Sequence, residues 1–324
     1  GGRPASDPAG AGRAGVRLRV APLAPGGTRR RGAGDPLPSS MTLPDFLFIG
    51  PDKSGSTWLY ELLRGHPGCF VPDVKDLYFF DRHFDRGTAW YASFFAEAGP
   101  AHRAVGEVCH DYLFSDEAAD RIRATLPEVR LLTFLRDPLE RSFSQYLYLA
   151  RAGRATGSWE EAAERYPRIV DNSRYARHLG RYLERFPADR IGVFLFEDLR
   201  ADADGLAARV LAFLDPELPA ADHPVPGRTL PAGRARLPLL AWLAKAGAET
   251  ARGLGLPGVV GRVKRSPVVQ ALLYRPFAGD RPEPDEGAAR RIAAELAPDL
   301  AALPGLLGWR GLPEAWTTTH RFLA

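Results

Sequence analysis

The chain has 324 residues and a formal net charge of +4, and its hydrophobic and charged fractions, 45% and 25%, are ordinary for a globular protein. This length predicts one elaborated α/β domain or two small domains. The charge is uneven, because residues 1–40 contain seven arginines against two aspartates, which leaves the rest of the chain close to neutral. The basic pI therefore reflects the amino-terminal segment, and it argues against a nucleic-acid partner.

The amino-terminal segment is rich in Gly, Ala, Pro and Arg and has no apolar periodicity. We expect residues 1–42 to be a disordered basic tail, followed by a single domain over residues 43–324. Met41 is the only methionine, which favours it as the native start, with a basic targeting arm as the alternative. No run reaches the ~20 apolar residues of a membrane span. Two cysteines are too few for a disulfide framework, so a cytoplasmic location is expected.

Short apolar runs alternate with segments of helical periodicity along the chain. Strands are predicted at 43–50, 129–135 and 191–196, and helices at 56–65, 115–126, from 138 onward, 175–186 and 286–307. This alternation predicts an α/β fold, a P-loop-like doubly wound parallel sheet flanked by helices. Residues 215–285 contain many Pro, Gly and Arg residues, and we interpret them as a lid or insertion over the substrate cleft.

The segment Gly-Pro-Asp-Lys-Ser-Gly-Ser-Thr-Trp, residues 50–58, lies between an apolar run and leucines at helical spacing. It predicts a strand, a turn and a helix start, where unpaired backbone N–H groups and the helix dipole favour an anion. A nucleoside triphosphatase loop reads Gly, four residues, Gly-Lys-Ser/Thr. Here Lys53 precedes Gly55, so the order differs. The alternative is an ordinary turn with a solvated lysine.

Further segments occur in a characteristic order, namely Val74–Phe80, Gly87–Tyr91, Gly106–Leu113, Phe134–Tyr146, Tyr175–Leu179 and Glu197–Leu199. Together with the loop they resemble sulfotransferases that use 3′-phosphoadenosine 5′-phosphosulfate (PAPS), in particular Golgi-type and bacterial enzymes. The resemblance covers roughly residues 43–316. It implies sulfuryl transfer to a hydroxyl or amine, with adenosine 3′,5′-bisphosphate (PAP) as the product and no metal.

The resemblance implies two anion sites for the two ends of the donor. Lys53 and the loop N–H groups would hold the 5′-phosphosulfate, and Arg136 and Ser144 the 3′-phosphate. The alternatives are an Arg136 salt bridge with Asp137 or Glu140, and an exposed helical serine. The donor-binding residues implied are Lys53, Ser54, Gly55, Ser56, Thr57, Trp58, Arg136, Ser144, Tyr175 and Arg228.

The resemblance also points to catalytic groups. Lys53 would stabilise charge on the leaving phosphate. The base would be Asp76, which stands where the family has a glutamate and is one methylene shorter. Glu107 and His110 are alternative bases. Asp76 could instead pair with Lys75, and Glu107 could orient Lys53 or Lys75.

Lys75, Tyr78 and Phe80 are predicted to contact the acceptor, a small molecule or a glycan. The family's lysine after the glutamate is Val108 here, which argues against a highly sulfated polysaccharide. Two rival functions remain: a magnesium-dependent nucleotide kinase or triphosphatase, and an inactive module that binds PAP without transferring sulfate. The sequence does not indicate an oligomeric state.

Overall fold

The computed structural model describes residues 41–219, 233–235, 274–276 and 282–323. Its main sheet has five parallel strands in the order β2-β3-β1-β4-β5. These strands are β1 (Phe46–Gly50), β2 (Cys69–Phe70), β3 (Ala104–Val108), β4 (Arg130–Leu135) and β5 (Ile191–Leu195). The predicted doubly wound parallel sheet is therefore confirmed. Two further strands, β6 (Gly233–Ala235) and β7 (Tyr274–Pro276), form an antiparallel pair.

The helices of the described residues lie on both faces of this sheet. They are α1 (Ser56–Gly65), α2 (Phe79–Arg82), α3 (Gly87–Ala92), α4 (Ala118–Thr125), α5 (Pro138–Arg151), α6 (Trp159–Arg165), α7 (Arg168–Asp171), α8 (Tyr175–Leu183), α9 (Phe196–Ala201), α10 (Ala203–Leu214), α11 (Glu286–Leu307) and α12 (Thr317–Leu323). None of them is long and apolar enough to cross a membrane.

The central strand β1 is buried on both faces, and its side chains alternate between two cores. Leu47 and Ile49 join the core that contains α8 and α11, whereas Phe46 and Phe48 join the core that contains α1 and α10. Burial on both faces explains why the strand reads as an uninterrupted apolar run rather than as an alternating pattern.

The predicted helices at 56–65 and 286–307 agree with α1 and α11, while two others are shorter than predicted. Helix α4 begins at Ala118 because Tyr112–Phe114 forms a 3-10 turn, after which the Ser115 hydroxyl accepts from the Ala118 amide at 3.2 Å. Residues 1–40 of the predicted tail over 1–42, and most of the predicted lid over 215–285, lie outside the described residues.

Strand order places the functional loops together at the carboxyl ends of the strands, which we call the carboxyl edge of the sheet. The chain leaves β1 toward β2 and β3 on one side, and β4 and β5 lie on the other. In open parallel sheets, ligands bind at the carboxyl ends of strands where the order switches direction. The segments that follow β1, β3, β4 and β5 all lie at this edge.

Candidate donor and acceptor site

The loop after β1 has the backbone of a phosphate-binding turn. Lys53 has a φ of +63°, and Gly55 precedes α1 with a φ of +96°. A β-carbon on Gly55 would approach the Phe196 ring to 3.2 Å, so glycine suits this position on both grounds. Lys53 Nζ lies 3.4 Å from the centroid of the Tyr148 ring. Burial lowers the pKa of Lys53 to about 8, although Asp52 opposes the shift.

An ion pair behind the loop holds its shape. The Arg141 side chain is 0% exposed, and its Nη1 donates to Asp52 Oδ1 at 2.7 Å. Arg141 also donates to the Ser173 hydroxyl at 2.7 Å and to the Ile169 carbonyl. Burial alone would raise the pKa of Asp52, but the Arg141 guanidinium and other cations hold it below its usual value. Asp52 is therefore a buried carboxylate whose main charge partner is Arg141, with smaller contributions from Lys53 and His110.

We expect Arg141→Ala to be among the most destabilising single substitutions in this chain. Removing one partner of a buried ion pair leaves an uncompensated charge and costs about 3–5 kcal/mol. The melting temperature should fall by roughly 6 °C or more, as measured by calorimetry. Arg190→Ala is the matched control, since Arg190 pairs with the exposed Glu128 at 2.8 Å and its loss should change stability by at most about 1 kcal/mol. Equal losses in the two variants would contradict the role given to Arg141.

Arg136 follows β4 directly and connects the two predicted anion sites. Its side chain is 5% exposed, and its Nη1 donates to the Lys53 carbonyl at 3.0 Å. Its Nη2 donates to Glu140 Oε2 at 2.7 Å, which is one of the salt bridges considered from the sequence. The Arg136 carbonyl accepts from the Tyr175 hydroxyl at 2.7 Å. The cationic residue after β4 is therefore hydrogen-bonded to the loop after β1.

The carboxyl-terminal helix supports the segment after Arg136. Asp137 caps α5, and its carboxylate also accepts from the Thr319 amide at 2.9 Å and the Thr319 hydroxyl at 2.8 Å. Glu197 Oε1 accepts from the Asp137 amide at 3.0 Å, while its Oε2 accepts from the Trp316 indole at 3.2 Å. Residues near the end of the chain thereby fix the turn that carries Arg136.

The other predicted donor residues fall into three groups. Trp58 and Tyr175 are buried in the core, so in this structure they support the site from behind. The Ser54 side chain is buried too, and the Ser56 hydroxyl accepts from Lys75 Nζ at 2.9 Å. Thr57 and Ser144 are half-buried, and Ser144 lies on α5 one turn after Glu140. The prediction for Arg228 concerns a residue outside the described ones.

A carboxylate and an imidazole are paired beside the loop. His110 Nδ1 lies 2.6 Å from Asp76 Oδ1, and Lys75 Nζ lies 3.5 Å from Asp76 Oδ2. Burial would raise the pKa of Asp76, but His110 and Lys75 hold it well below its usual value. Burial would lower the pKa of His110, but Asp76 raises it. The pairing of Asp76 with Lys75, considered from the sequence, is observed, and it coexists with the contact to His110.

Glu107 is enclosed by donors from the protein and is 1% exposed. It accepts from the Tyr91 hydroxyl at 2.7 Å, the Tyr112 hydroxyl at 3.0 Å and the Leu77 amide at 2.9 Å. Burial raises the pKa of Glu107 to about 8, although these hydrogen bonds oppose the shift. Through the Leu77 amide, Glu107 is hydrogen-bonded to the segment that contains Asp76.

The predicted acceptor residues Tyr78 and Phe80 occupy different environments in the structure. Phe80 is 0% exposed and packs edge-on against Tyr91 and Tyr112. This burial is a correction, since Phe80 belongs to the aromatic core rather than to an acceptor surface. Tyr78 remains at the edge, where its ring lies 5.9 Å from the His110 ring and under the Arg82 guanidinium. A small pocket beside the Asp76–His110 pair is lined by Val74, Asp76, Leu77, His83, Arg86, Trp90 and Phe94.

Several residues of the site were not predicted. Tyr148 lies under Lys53, Phe196 under Arg136, and Arg141 behind the loop. Helical spacing from Arg136 places Glu140 within reach of it, and that signal could be read from the sequence. Contacts of Tyr148 and Phe196 depend on how α5 and α9 pack, and no local pattern encodes this packing.

Comparison with known proteins agrees with this geometry. Human heparan sulfate glucosamine 3-O-sulfotransferase 6 is 31% identical over 205 residues, which cover 60% of this chain and 55% of that protein. The membrane-associated sulfotransferase kil1 of Dictyostelium discoideum is 35% identical over 108 residues, covering 33% of this chain and 23% of that protein. The chain thus spans about half or less of the length of these relatives.

A solved structure shares the fold. It is a sulfotransferase from Alicyclobacillus acidocaldarius, with a TM-score of 0.60 at 22% identity, covering 85% of this chain and 99% of that one. Residues 43–224 match the family model described as the sulfotransferase domain. This match extends over more than half of the chain and includes the loop after β1 and the segments after β3, β4 and β5. The protein therefore belongs to the sulfotransferase domain family.

Proposed function

We propose that this protein moves a sulfuryl group from PAPS to a hydroxyl or amine of a small molecule or glycan. The observation that supports this most directly is the hydrogen bond from Arg136 to the Lys53 carbonyl, at 3.0 Å. It joins two cationic residues at the ends of neighbouring strands, as a donor with a phosphate at each end requires. The names of the heparan sulfate relatives support a sugar hydroxyl as one acceptor class.

The residues at the loop suit the donor. Lys53 and the backbone N–H groups at the start of α1 would bind the 5′-phosphosulfate, while Arg136 and Ser144 would bind the 3′-phosphate. In the transfer, an acceptor oxygen or nitrogen forms a bond to sulfur as the bond from sulfur to the phosphate oxygen breaks. PAP leaves with the bonding electrons, and the Lys53 ammonium stabilises the charge on that oxygen.

The acceptor proton passes to the Asp76–His110 pair in this proposal. Asp76 has a lowered pKa and accepts from His110, which makes it a weak base by itself. His110 is the stronger proton acceptor once neutral, with Asp76 holding its ring in place. The acceptor's proton would transfer to the His110 imidazole as the bond between acceptor and sulfur forms. Asp76 is then a positioning residue.

The test is transfer from PAPS to a library of hydroxyl and amine acceptors, followed by mass spectrometry. We expect a mass gain of one sulfuryl group on an acceptor and an equal yield of PAP. Lys53→Ala should abolish both. A protein that binds PAP but gives no product with any acceptor would support the inactive-module alternative. Hydrolysis of ATP with magnesium, without transfer from PAPS, would support the kinase or triphosphatase alternative.

Donor binding should be coupled to proton uptake at Lys53. Its pKa is about 8 without ligand, and a nearby phosphate favours the charged form, so the pKa should rise on binding. At a pH between the pKa of Lys53 without ligand and its pKa with ligand, PAP binding should take up close to one proton. The affinity for PAP should fall as the pH rises above 8. Calorimetry at pH 8.5 in buffers of different ionisation enthalpy measures this uptake.

Lys53→Arg is the matched control for the coupling, since an arginine remains charged throughout this pH range. It should bind PAP without the proton uptake assigned to Lys53. Uptake of the same size in this variant would show that another group titrates.

A further inference from the structure

The cationic end of the site already holds a carboxylate of the protein. Arg136 Nη2 lies 2.7 Å from Glu140 Oε2, and Arg200 Nη2 lies 3.6 Å from the same oxygen. One carboxylate oxygen therefore lies between two guanidinium groups. Paired guanidiniums of this kind suit a phosphate oxygen equally well, because arginine matches the geometry of both anions.

Strand register explains why four side chains meet, namely those of Arg136, Glu140, Phe196 and Arg200. The last residues of β4 and β5 are partners in the sheet, so Arg136 and Phe196 begin the two segments that follow them. The Arg136 guanidinium lies 4.7 Å from the centroid of the Phe196 ring. Glu140 comes four residues after Arg136, near the start of α5, and Arg200 comes four residues after Phe196, one helical turn along α9. The Arg200 guanidinium also contacts the Phe196 ring, at 5.2 Å.

Burial differs among the three charged side chains. Arg136 is 5% exposed, whereas Glu140 is 29% and Arg200 is 47% exposed. Arg136 is thus enclosed by the core, while Glu140 and Arg200 border on solvent. Ser144, one turn after Glu140, lies on the same face of α5. A ligand oxygen that displaced the carboxylate would find two arginines at one place, with Ser144 one turn further along the helix.

We propose that Arg200 is a second guanidinium ligand of the donor's 3′-phosphate, and that Glu140 occupies the phosphate position when no donor is bound. This inference rests on the proposed function, since it concerns the same donor. A phosphate monoester carries up to two negative charges at neutral pH and a carboxylate carries one, so the exchange favours the phosphate. A nucleotide without a 3′-phosphate cannot displace Glu140, so the exchange selects 3′-phosphorylated nucleotides.

The first test compares PAP with adenosine 5′-phosphosulfate (APS), which lacks the 3′-phosphate. Arg200→Ala should weaken PAP binding by roughly 3- to 10-fold in calorimetry and leave APS binding within about 2-fold. Arg209→Ala is the matched control, because Arg209 is 49% exposed and pairs with Asp198 at 2.7 Å. It should change neither affinity. Equal losses of PAP and APS in Arg200→Ala, or no loss, would overturn the assignment of Arg200.

The second test removes the internal competitor. Glu140→Gln keeps the side-chain shape and removes its charge, so PAP binding should tighten by roughly 2- to 5-fold while APS binding stays unchanged. Weaker PAP binding would show that Glu140 only orients Arg136, and the exchange would be refuted. If PAP binds to the wild-type protein and more weakly to Arg136→Ala, yet both tests fail, this inference falls while the proposed function stands. If wild-type protein does not bind PAP, the proposed function itself falls.

Discussion

Replacing Arg136 by alanine is expected to weaken PAP binding by about 10- to 100-fold. A hydrogen-bonded contact to a charged group contributes about 1.5–3 kcal/mol, and each 1.4 kcal/mol is a factor of ten in affinity. APS should lose less, because it has no 3′-phosphate. Its loss should not be zero, since Arg136 also donates to the Lys53 carbonyl at 3.0 Å and that bond is removed. Calorimetric titration of both ligands gives the ratio of the two losses.

We expect the fold-loss in affinity for PAP to be several times larger than the fold-loss for APS. Arg190→Ala is a suitable control, because that arginine precedes β5 and therefore lies at the amino ends of the strands, opposite to the site. It should affect neither ligand. Parallel losses for PAP and APS in Arg136→Ala would mean that Arg136 shapes the loop without contacting a 3′-phosphate.

Much of the fold could be predicted because the sheet is buried on both faces. Short apolar runs such as Phe46–Gly50, bounded by turn residues, are typical of strands buried on both faces, and Lys53 and Gly55 after β1 mark the turn. Helix α11 was predicted with its observed ends because apolar residues recur at helical spacing, and in the structure the Asp285 side chain caps its first turn. Chain order and connection rules then favour a parallel sheet.

The candidate site could be predicted only in part, since its contacts join segments distant in the chain. Asp76 and His110 are 34 residues apart in sequence, and their 2.6 Å contact depends on how the segment after β2 folds over the end of β3. The Asp76 amide donates to the Val108 carbonyl at 2.9 Å, which fixes that fold. Phe80 was misassigned because an aromatic residue beside a motif has the same pattern whether it faces the core or a ligand.

The identity of the base is where sequence and structure lead to different choices. The resemblance favours Asp76, whereas we propose His110, whose Nδ1 lies 2.6 Å from Asp76 Oδ1 and whose Nε2 lies 3.4 Å from Asp111 Oδ1. These choices differ in their pH dependence. Asp76 has a lowered pKa and is already ionised at any pH used for an assay. As a base it would therefore cause no rise of kcat with pH, which is called the rising limb below. His110 has a raised pKa and must lose its proton before it can accept another.

If His110 is the base, kcat with saturating PAPS should rise with pH through the raised pKa of His110. His110→Gln should lower kcat by roughly 10²- to 10⁴-fold and abolish that limb. Asp76→Asn removes the carboxylate that raises the pKa of His110, so the limb should move to lower pH while kcat falls through lost orientation. PAP affinity should persist in both variants, which separates catalysis from binding.

Two further variants distinguish His110, Asp76 and Glu107 as the base. Asp76→Glu restores the family's usual residue, and with His110 as the base it should keep the pH limb, because a carboxylate remains near the imidazole. Glu107→Gln keeps the shape of the buried acceptor for the Leu77 amide, so kcat should stay within several-fold of wild type. If His110→Gln turns over normally while Asp76→Asn is inactive, the proton goes to the carboxylate, as the resemblance alone predicts. If only Glu107→Gln is inactive, Glu107 is the base despite its enclosure by tyrosine hydroxyls, and the Asp76–His110 pair has a structural role beside Lys75.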